Sequence, residues 1–117
     1  MSIDKIVNVK IPETGRYKFV LVQVTDGERT KQVLVAGPGS YHQNVAEDFE
    51  YSLPNGIKLS RIMGGGRVEL GNGSIYAFGT SMGYGKAPQD QVESLLRTYV
   101  SEQKPGTSIK VEMGVGY

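Results

Sequence analysis

Eight consecutive residues, 17–24 (YKFVLVQV), constrain the fold of this chain more than any other segment. They are mostly aromatic or β-branched and almost continuously apolar, which is typical of a strand in the centre of a β-sheet. Turn-forming residues 26–29 (DGER) come next, and residues 31–36 predict a further strand. We therefore expect the two strands to pair as a hairpin.

Other segments predict the rest of the fold. Further strands are predicted at residues 6–11, 57–63, 67–70, 75–78 and 108–113. An Asn-Gly turn within residues 71–74 indicates a second hairpin. The first helix follows a capping box of Ser40 and Gln43, and its inward stripe is Tyr41, Val45, Phe49 and Leu53. The second begins near Pro88, with an inward stripe of Val92, Leu95, Leu96, Tyr99 and Val100.

This order of elements predicts an α/β or α+β fold, with a single mixed, largely antiparallel sheet of about six strands packed by two helices. A chain of 117 residues is expected to form one domain, residues 1–117. Its composition is 38% hydrophobic and 21% charged, which is ordinary for a globular protein and argues against disorder.

Composition also excludes several classes of function. The chain has no cysteine, which rules out disulfides, zinc–thiolate sites and a cysteine nucleophile. The net charge is +1 and the basic residues form no run or stripe, so no nucleic-acid partner is expected. No apolar stretch approaches the roughly 20 residues of a membrane span, and the N-terminus lacks the apolar core of a signal peptide. We therefore expect a cytoplasmic protein with no membrane partner.

The single histidine, His42, lies where the first predicted helix begins. A helix start offers unpaired N–H groups and the positive end of the helix dipole, which favour a phosphate group. Imidazole moves protons near neutral pH and can itself take a phosphoryl group. The position suggests phosphoryl chemistry, but an ordinary surface or capping histidine fits it equally well. Because His42 is outside the apolar stripe, its side chain is predicted to face outward.

Three further segments each admit two interpretations. Residues 64–67 (GGGR) match neither a dinucleotide fingerprint nor a P-loop, and they predict a bulge or tight turn or else a ligand loop. Residues 80–83 (TSMG) either connect to the second helix or wrap an anion with N–H groups and a hydroxyl. Lys18, inside an apolar strand, either points to solvent or lines a cleft and pairs with an anion.

Taken together, these motifs resemble one known family. The similarity extends over nearly the whole chain in the same order, and its glycine-rich blocks are quite specific in combination. The motifs are residues 17–22 (YKFVLV), 41–42 (YH), 63–67 (MGGGR), 78–85 (FGTSMGYG) and 116–117 (GY). They resemble the protein phosphohistidine phosphatases, a Janus family that includes the sex-regulated Janus and Ocnus proteins.

The resemblance implies a small monomeric enzyme that hydrolyses the P–N bond of phosphohistidine without a metal or other cofactor. Its substrates would be histidine-phosphorylated proteins or peptides, and inorganic phosphate would be a product. His42 would be the catalytic residue, as general base or as nucleophile. The residues expected to bind the substrate or its phosphate are Lys18, Tyr41, Arg67, Ser81, Met82 and Gly83. Backbone N–H groups of residues 81–83 and of the helix start are predicted to converge on the phosphoryl group.

The sequence differs from the family pattern just before Tyr41. Residues 34–40 (LVAGPGS) stand in place of a basic, aromatic-rich stretch with an acidic residue, and Gly83 replaces an alanine. The first difference bears on substrate preference and leaves the core chemistry in place. Two alternatives stay open: a non-catalytic module that binds a phosphorylated ligand, with a regulatory role, and a phosphatase for phospholysine or small phosphoramidates.

Overall fold

One mixed sheet organises the computed structural model, which describes residues 3–116. Its strands are β1 (Val9–Lys10), β2 (Gly15–Thr25), β3 (Thr30–Gly37), β4 (Lys58–Gly71), β5 (Ser74–Gly79) and β6 (Ser108–Met113). Helix α1 (His42–Ser52) connects β3 to β4, and α2 (Gln89–Gln103) connects β5 to β6. The spatial order is β1-β3-β2-β4-β5-β6, with the two outermost pairs parallel and the inner pairs antiparallel. The predicted fold class is confirmed.

Strand β2 lies between β3 and β4, as its apolar character predicts. Its alternate side chains enter two separate cores. Phe19 and Leu21 pack on the side of the sheet that carries α2, whereas Val20, Val22 and Val24 pack on the side that carries α1. Burial on both faces explains why the run is nearly continuous in apolar residues and does not alternate with polar ones.

Helix α2 covers its side of the sheet across all the described strands. Val92, Leu96 and Val100 are buried there, and Leu95 and Tyr99 pack against them, so the predicted stripe is confirmed. The same core includes Val9 of β1, Leu21 of β2, Leu34 of β3, Val68 of β4, Ala77 of β5 and Val111 of β6. No helix among residues 3–116 is long and apolar enough to cross a lipid bilayer.

Helix α1 begins one residue later than the capping box predicts. Tyr41 is the N-cap, its N–H donates to Asn44 Oδ1 at 2.9 Å, and the Asn44 N–H donates to the Tyr41 carbonyl at 3.0 Å. Gln43 bonds Glu47 instead. Tyr41 is also 71% exposed, so its predicted place in the inward stripe is wrong. As an extended residue before the first helical turn, it is outside the helical periodicity.

Two strand predictions are wrong at their bounds. Residues 6–11 form only the short β1, preceded by a 3-10 helix at Ile3–Lys5. The segments 57–63 and 67–70 are one continuous strand, β4, because the three glycines stay in the ladder with β2. A register shift leaves Met63 unpaired between Ile62 and Gly64, so a bulge is present without a chain reversal.

Candidate functional site

His42 is the first residue of α1, and its ring is held against strand β4. The ring nitrogen Nε2 lies 2.8 Å from the carbonyl oxygen of Gly66. A carbonyl oxygen only accepts, so Nε2 carries the proton and donates it. In the neutral ring the lone pair is therefore on Nδ1, which has no hydrogen-bond partner among the described residues. The side chain is half-buried, so the prediction that it faces outward is wrong.

Glycines in β4 make this contact possible. A Cβ on Gly65 would lie 2.9 Å from His42 Cδ2 and 2.7 Å from the Phe19 carbonyl oxygen, both closer than real Cβ contacts allow. A Cβ on Gly66 would lie 2.5 Å from the Phe78 carbonyl oxygen. Sequence reasoning missed both glycines as site residues, although glycine inside a strand pattern is a signal of close approach.

The loop of residues 81–85 is fixed to the same point of β4. Ser81 and Gly85 form a bridge, the Gly65 N–H donates to the Gly85 carbonyl at 2.9 Å, and the Ala87 N–H donates to the Gly65 carbonyl at 3.1 Å. Ser81 is 3% exposed, and its Oγ accepts from the Tyr84 N–H at 3.2 Å. Gly65 thereby positions both His42 and this loop.

The Ser81 amide does not face a ligand as predicted. It donates to the Gly85 carbonyl at 3.2 Å, because the bridge that closes the loop uses it. The donors left in this loop are the hydroxyl hydrogens of Ser81 and Tyr84 and, on the backbone, the amides of Met82 and Gly83. Met82 and Gly83 are both exposed, and the Met82 side chain is fully so.

Two cations lie side by side next to His42. Lys18 of β2 is the direct cross-strand partner of Arg67 of β4. Like charges opposite each other destabilise a sheet unless an anion lies between them. Neither side chain forms an ion pair with any residue in the described range 3–116. This arrangement favours a negatively charged ligand.

The structure brings all seven predicted site residues to one pocket of about 480 Å³, here called the His42 pocket. The predicted residues lining it are Lys18, Tyr41, His42, Arg67, Ser81, Met82 and Gly83. Sequence reasoning missed three neighbours that complete the wall, namely Ser40, Gln43 and Tyr84, whereas the fourth, Thr80, belongs to the segment 80–83 for which anion binding was one of two interpretations. None of these described lining residues is an aspartate or glutamate, so the pocket has two cations and no carboxylate.

The surroundings lower the pKa of His42 from its usual value near 6.5. The largest cause is partial burial, which disfavours the imidazolium, and the charges of Lys18 and Arg67 act in the same direction. The hydrogen bond to the Gly66 carbonyl opposes them by favouring a protonated ring. At neutral pH the ring is therefore neutral, with a lone pair on Nδ1.

No metal centre is evident in the described part of the chain. Among residues 3–116, no three histidine, cysteine, aspartate or glutamate side chains meet where they could hold an ion. The chemistry available in the His42 pocket is that of an imidazole, two cations, a buried hydroxyl and backbone amides.

Comparison with known proteins identifies the family. The family model described as Janus/Ocnus family (Ocnus) matches residues 3–104. Sex-regulated protein janus-A of Drosophila pseudoobscura pseudoobscura is 29% identical over 116 residues, covering 92% of this chain and 78% of that protein. The janus-A proteins of Drosophila yakuba and Drosophila melanogaster are 30% and 29% identical over 94 residues, covering 77% of this chain and 70% of each relative. The matched range is most of the chain and includes every residue that lines the His42 pocket. The chain therefore belongs to the Janus/Ocnus family.

Proposed function

We propose that this protein is a protein phosphohistidine phosphatase. It would hydrolyse the P–N bond of histidine-phosphorylated proteins or peptides, with His42 as the catalytic residue and no metal ion. One observation carries the proposal: a neutral imidazole with a free Nδ1 lone pair lies in a pocket with two unpaired cations and no carboxylate. Such a pocket suits a phosphoryl group, whose charge is spread over three oxygens.

Several donors would hold the phosphoryl oxygens. Lys18 and Arg67 supply charge, and the unpaired amides at the start of α1 add the positive end of the helix dipole. Ser81, Met82 and Gly83 line the same pocket, and the Ser81 hydroxyl and the amides of Met82 and Gly83 would add uncharged donors. Donors fixed in advance stabilise developing charge without reorganisation, which is the main requirement for phosphoryl transfer.

His42 would act through Nδ1 in one of two ways. As a general base, it takes a proton from water while the water oxygen bonds to phosphorus and the P–N bond breaks. The protonated ring, or water, then returns a proton to the leaving nitrogen. As a nucleophile, Nδ1 itself bonds to phosphorus while the substrate P–N bond breaks and water gives a proton to the leaving nitrogen. Water then hydrolyses the new P–N bond of the phosphorylated His42 and releases phosphate. Both routes need the neutral ring that burial and the two cations favour.

The test is phosphate release from a histidine-phosphorylated peptide by the purified protein, with and without EDTA. We expect turnover that EDTA leaves unchanged, because the proposed route uses His42, Lys18 and Arg67 and no group of metal-ligating side chains is found among residues 3–116. A rapid alkali-quench experiment then separates the two routes, since only the nucleophilic route forms a phosphorylated enzyme, which is labile to acid and preserved in alkali. Tight binding of the phosphopeptide without turnover would instead support a non-catalytic binding module, and preference for phospholysine would reassign the substrate.

A further inference from the structure

The side of the sheet that carries α1 is left open beyond β4. The core under α1 draws on β2, β3 and the start of β4, and none of its described members comes from β5 or β6. Two cross-strand rows of side chains share this uncovered area, and all are at least partly exposed. They are Lys18, Arg67, Phe78 and Glu112 in one row and Arg16, Glu69, Tyr76 and Lys110 in the other, here called the open face.

Most charges on the open face are neutralised within it. Arg16 pairs with Glu69 at 3.4 Å, and Lys110 pairs with Glu112 at 3.5 Å. The Tyr76 hydroxyl also donates to Glu112 at 2.7 Å. Of the six charged residues among these eight, only Lys18 and Arg67 have no ion-pair partner among residues 3–116. The unbalanced charge of the open face therefore lies at one end, beside His42.

The middle of the open face is aromatic. The rings of Tyr76 and Phe78 are stacked, with centroids 4.6 Å apart and planes inclined by 16°. Phe78 is directly opposite Arg67 on the neighbouring strand. A pocket of about 470 Å³ lies here, lined by Phe78, Pro38 and Glu69, and it shares Lys18 and Arg67 with the His42 pocket. The two pockets thus adjoin at these two cations.

We propose that the open face binds the polypeptide segment next to the phosphohistidine, with an apolar side chain of the substrate against the Phe78 ring. This inference rests on the proposed function. With strands about 4.8 Å apart, Phe78 lies two strands, or about 10 Å, from Lys18. An extended chain advances about 3.3 Å per residue, so the apolar side chain is about three residues from the phosphohistidine.

This proposal defines the substrate class more narrowly. The phosphoryl group meets the unpaired Lys18 and Arg67, while the neutralised remainder of the open face offers ring area instead of net charge. The preferred substrate is a phosphohistidine within an extended, apolar-flanked segment of a protein. Free phosphohistidine and small phosphoramidates reach only the His42 pocket.

The experiment compares kcat/KM for two substrates. One is a histidine-phosphorylated peptide with phenylalanine three residues to either side, and the other is a small phosphoramidate. Phe78→Ala should lower the peptide value about tenfold, as expected for loss of an aromatic contact, and change the small-substrate value less than about twofold. Phe78→Leu should recover part of the loss. Tyr51→Ala removes a more exposed aromatic on α1 that lines neither pocket, so this control should change neither value.

Each failure has a distinct signature. If the wild type hydrolyses neither substrate, the proposed function fails, and the peptide's affinity is then measured with a non-hydrolysable phosphonate analogue. Equal affinities of the wild type and Phe78→Ala for that analogue would overturn the inference. So would equal losses on both substrates, or no loss on either, in a folded Phe78→Ala variant. A dimer in sedimentation equilibrium that Phe78→Ala dissociates would also overturn it and assign the open face to a second copy of the chain.

Discussion

The two sides of the sheet differ in how far a helix covers them. On the α2 side, buried apolar residues from every described strand form one continuous core. On the α1 side, the core ends near the middle of β4, and charged and aromatic side chains begin there. The His42 pocket lies at that boundary. A boundary gives this pocket both of its features, because partial burial lowers the pKa of His42 while Lys18 and Arg67 stay accessible from solvent.

The largest expected effect is on activity alone. His42→Ala should lower kcat about 100- to 10,000-fold, the usual contribution of a general acid or base, and leave the free energy of unfolding nearly unchanged. His42→Gln is the conservative control, because its amide can still reach the Gly66 carbonyl but cannot act as the base. Phosphate release and urea denaturation measure the two quantities. Turnover close to that of the wild type in either variant would show that His42 is not the catalytic residue.

The complementary change is on the α2 side. Leu96 is fully buried in the α2 core, so Leu96→Ala should lower the free energy of unfolding by about 2–5 kcal/mol. At low temperature, where the variant stays folded, kcat should remain within about twofold of the wild type, because Leu96 does not line the His42 pocket. Urea titration and a parallel assay test this. A large fall in kcat of the folded variant would show that the two sides are coupled.

Gly65 lies where the two effects should combine. The added methyl group in Gly65→Ala meets the immovable Phe19 carbonyl at 2.7 Å and the His42 ring at 2.9 Å. We expect about 1–3 kcal/mol of lost stability and, since the ring is displaced, a fall in kcat of about 10- to 100-fold. Gly37→Ala is the matched control, because its Cβ would have no neighbour within 4 Å. If the two variants behave alike, Gly65 does not position His42.

A smaller effect is expected from one cation of the pocket. A charge-assisted hydrogen bond contributes about 1.5–3 kcal/mol, so Lys18→Ala should raise KM and the inhibition constant of inorganic phosphate about 10-fold or more. Lys18→Arg keeps the charge and should raise both constants less. Competitive inhibition assays give both values. Unchanged constants in Lys18→Ala would mean that Lys18 is only a solvated strand residue.

The smallest expected effect is on pH dependence. Because the folded state lowers the pKa of His42, the native protein takes up this proton at lower pH than the unfolded chain does. His42 therefore costs no stability above its unfolded pKa near 6.5, and destabilises the fold as pH falls from there through the folded pKa. The acid limb of kcat/KM should have its midpoint below 6.5. Lys18→Met should move that midpoint upward, and a midpoint unchanged in this variant would contradict the electrostatic cause.

Much of the fold was predictable because its signals are local. The β-branched run of β2, the heptad-like stripe of α2 and the Asn-Gly turn before β5 each depend on neighbours within a few residues. Strand β6 matches its predicted bounds for the same reason. The candidate site residues were predictable through resemblance to a family, and the structure places them in one pocket, while their chemical roles stay predictions.

The glycines of β4 show where local reasoning ends. Three glycines in succession predict a turn equally well as a strand, since glycine adopts either conformation at little cost. What decides between them is that β2, the backbone of residues 86–87 and the His42 ring all approach the three glycines so closely that an added Cβ would clash. That approach depends on residues far apart in the chain.

The sequence by itself determined the element types, the central place of β2 and the presence of one imidazole near a helix start, because these follow from periodicity, apolar content and residue identity. Tertiary structure alone decided which ring nitrogen of His42 is free, because that depends on the Gly66 carbonyl of another strand. It also decided that the Ser81 amide is used within its loop and that Lys18 faces Arg67 without a carboxylate. Hydrogen bonding and charge act between atoms close in space, and only the assembled sheet brings these atoms together.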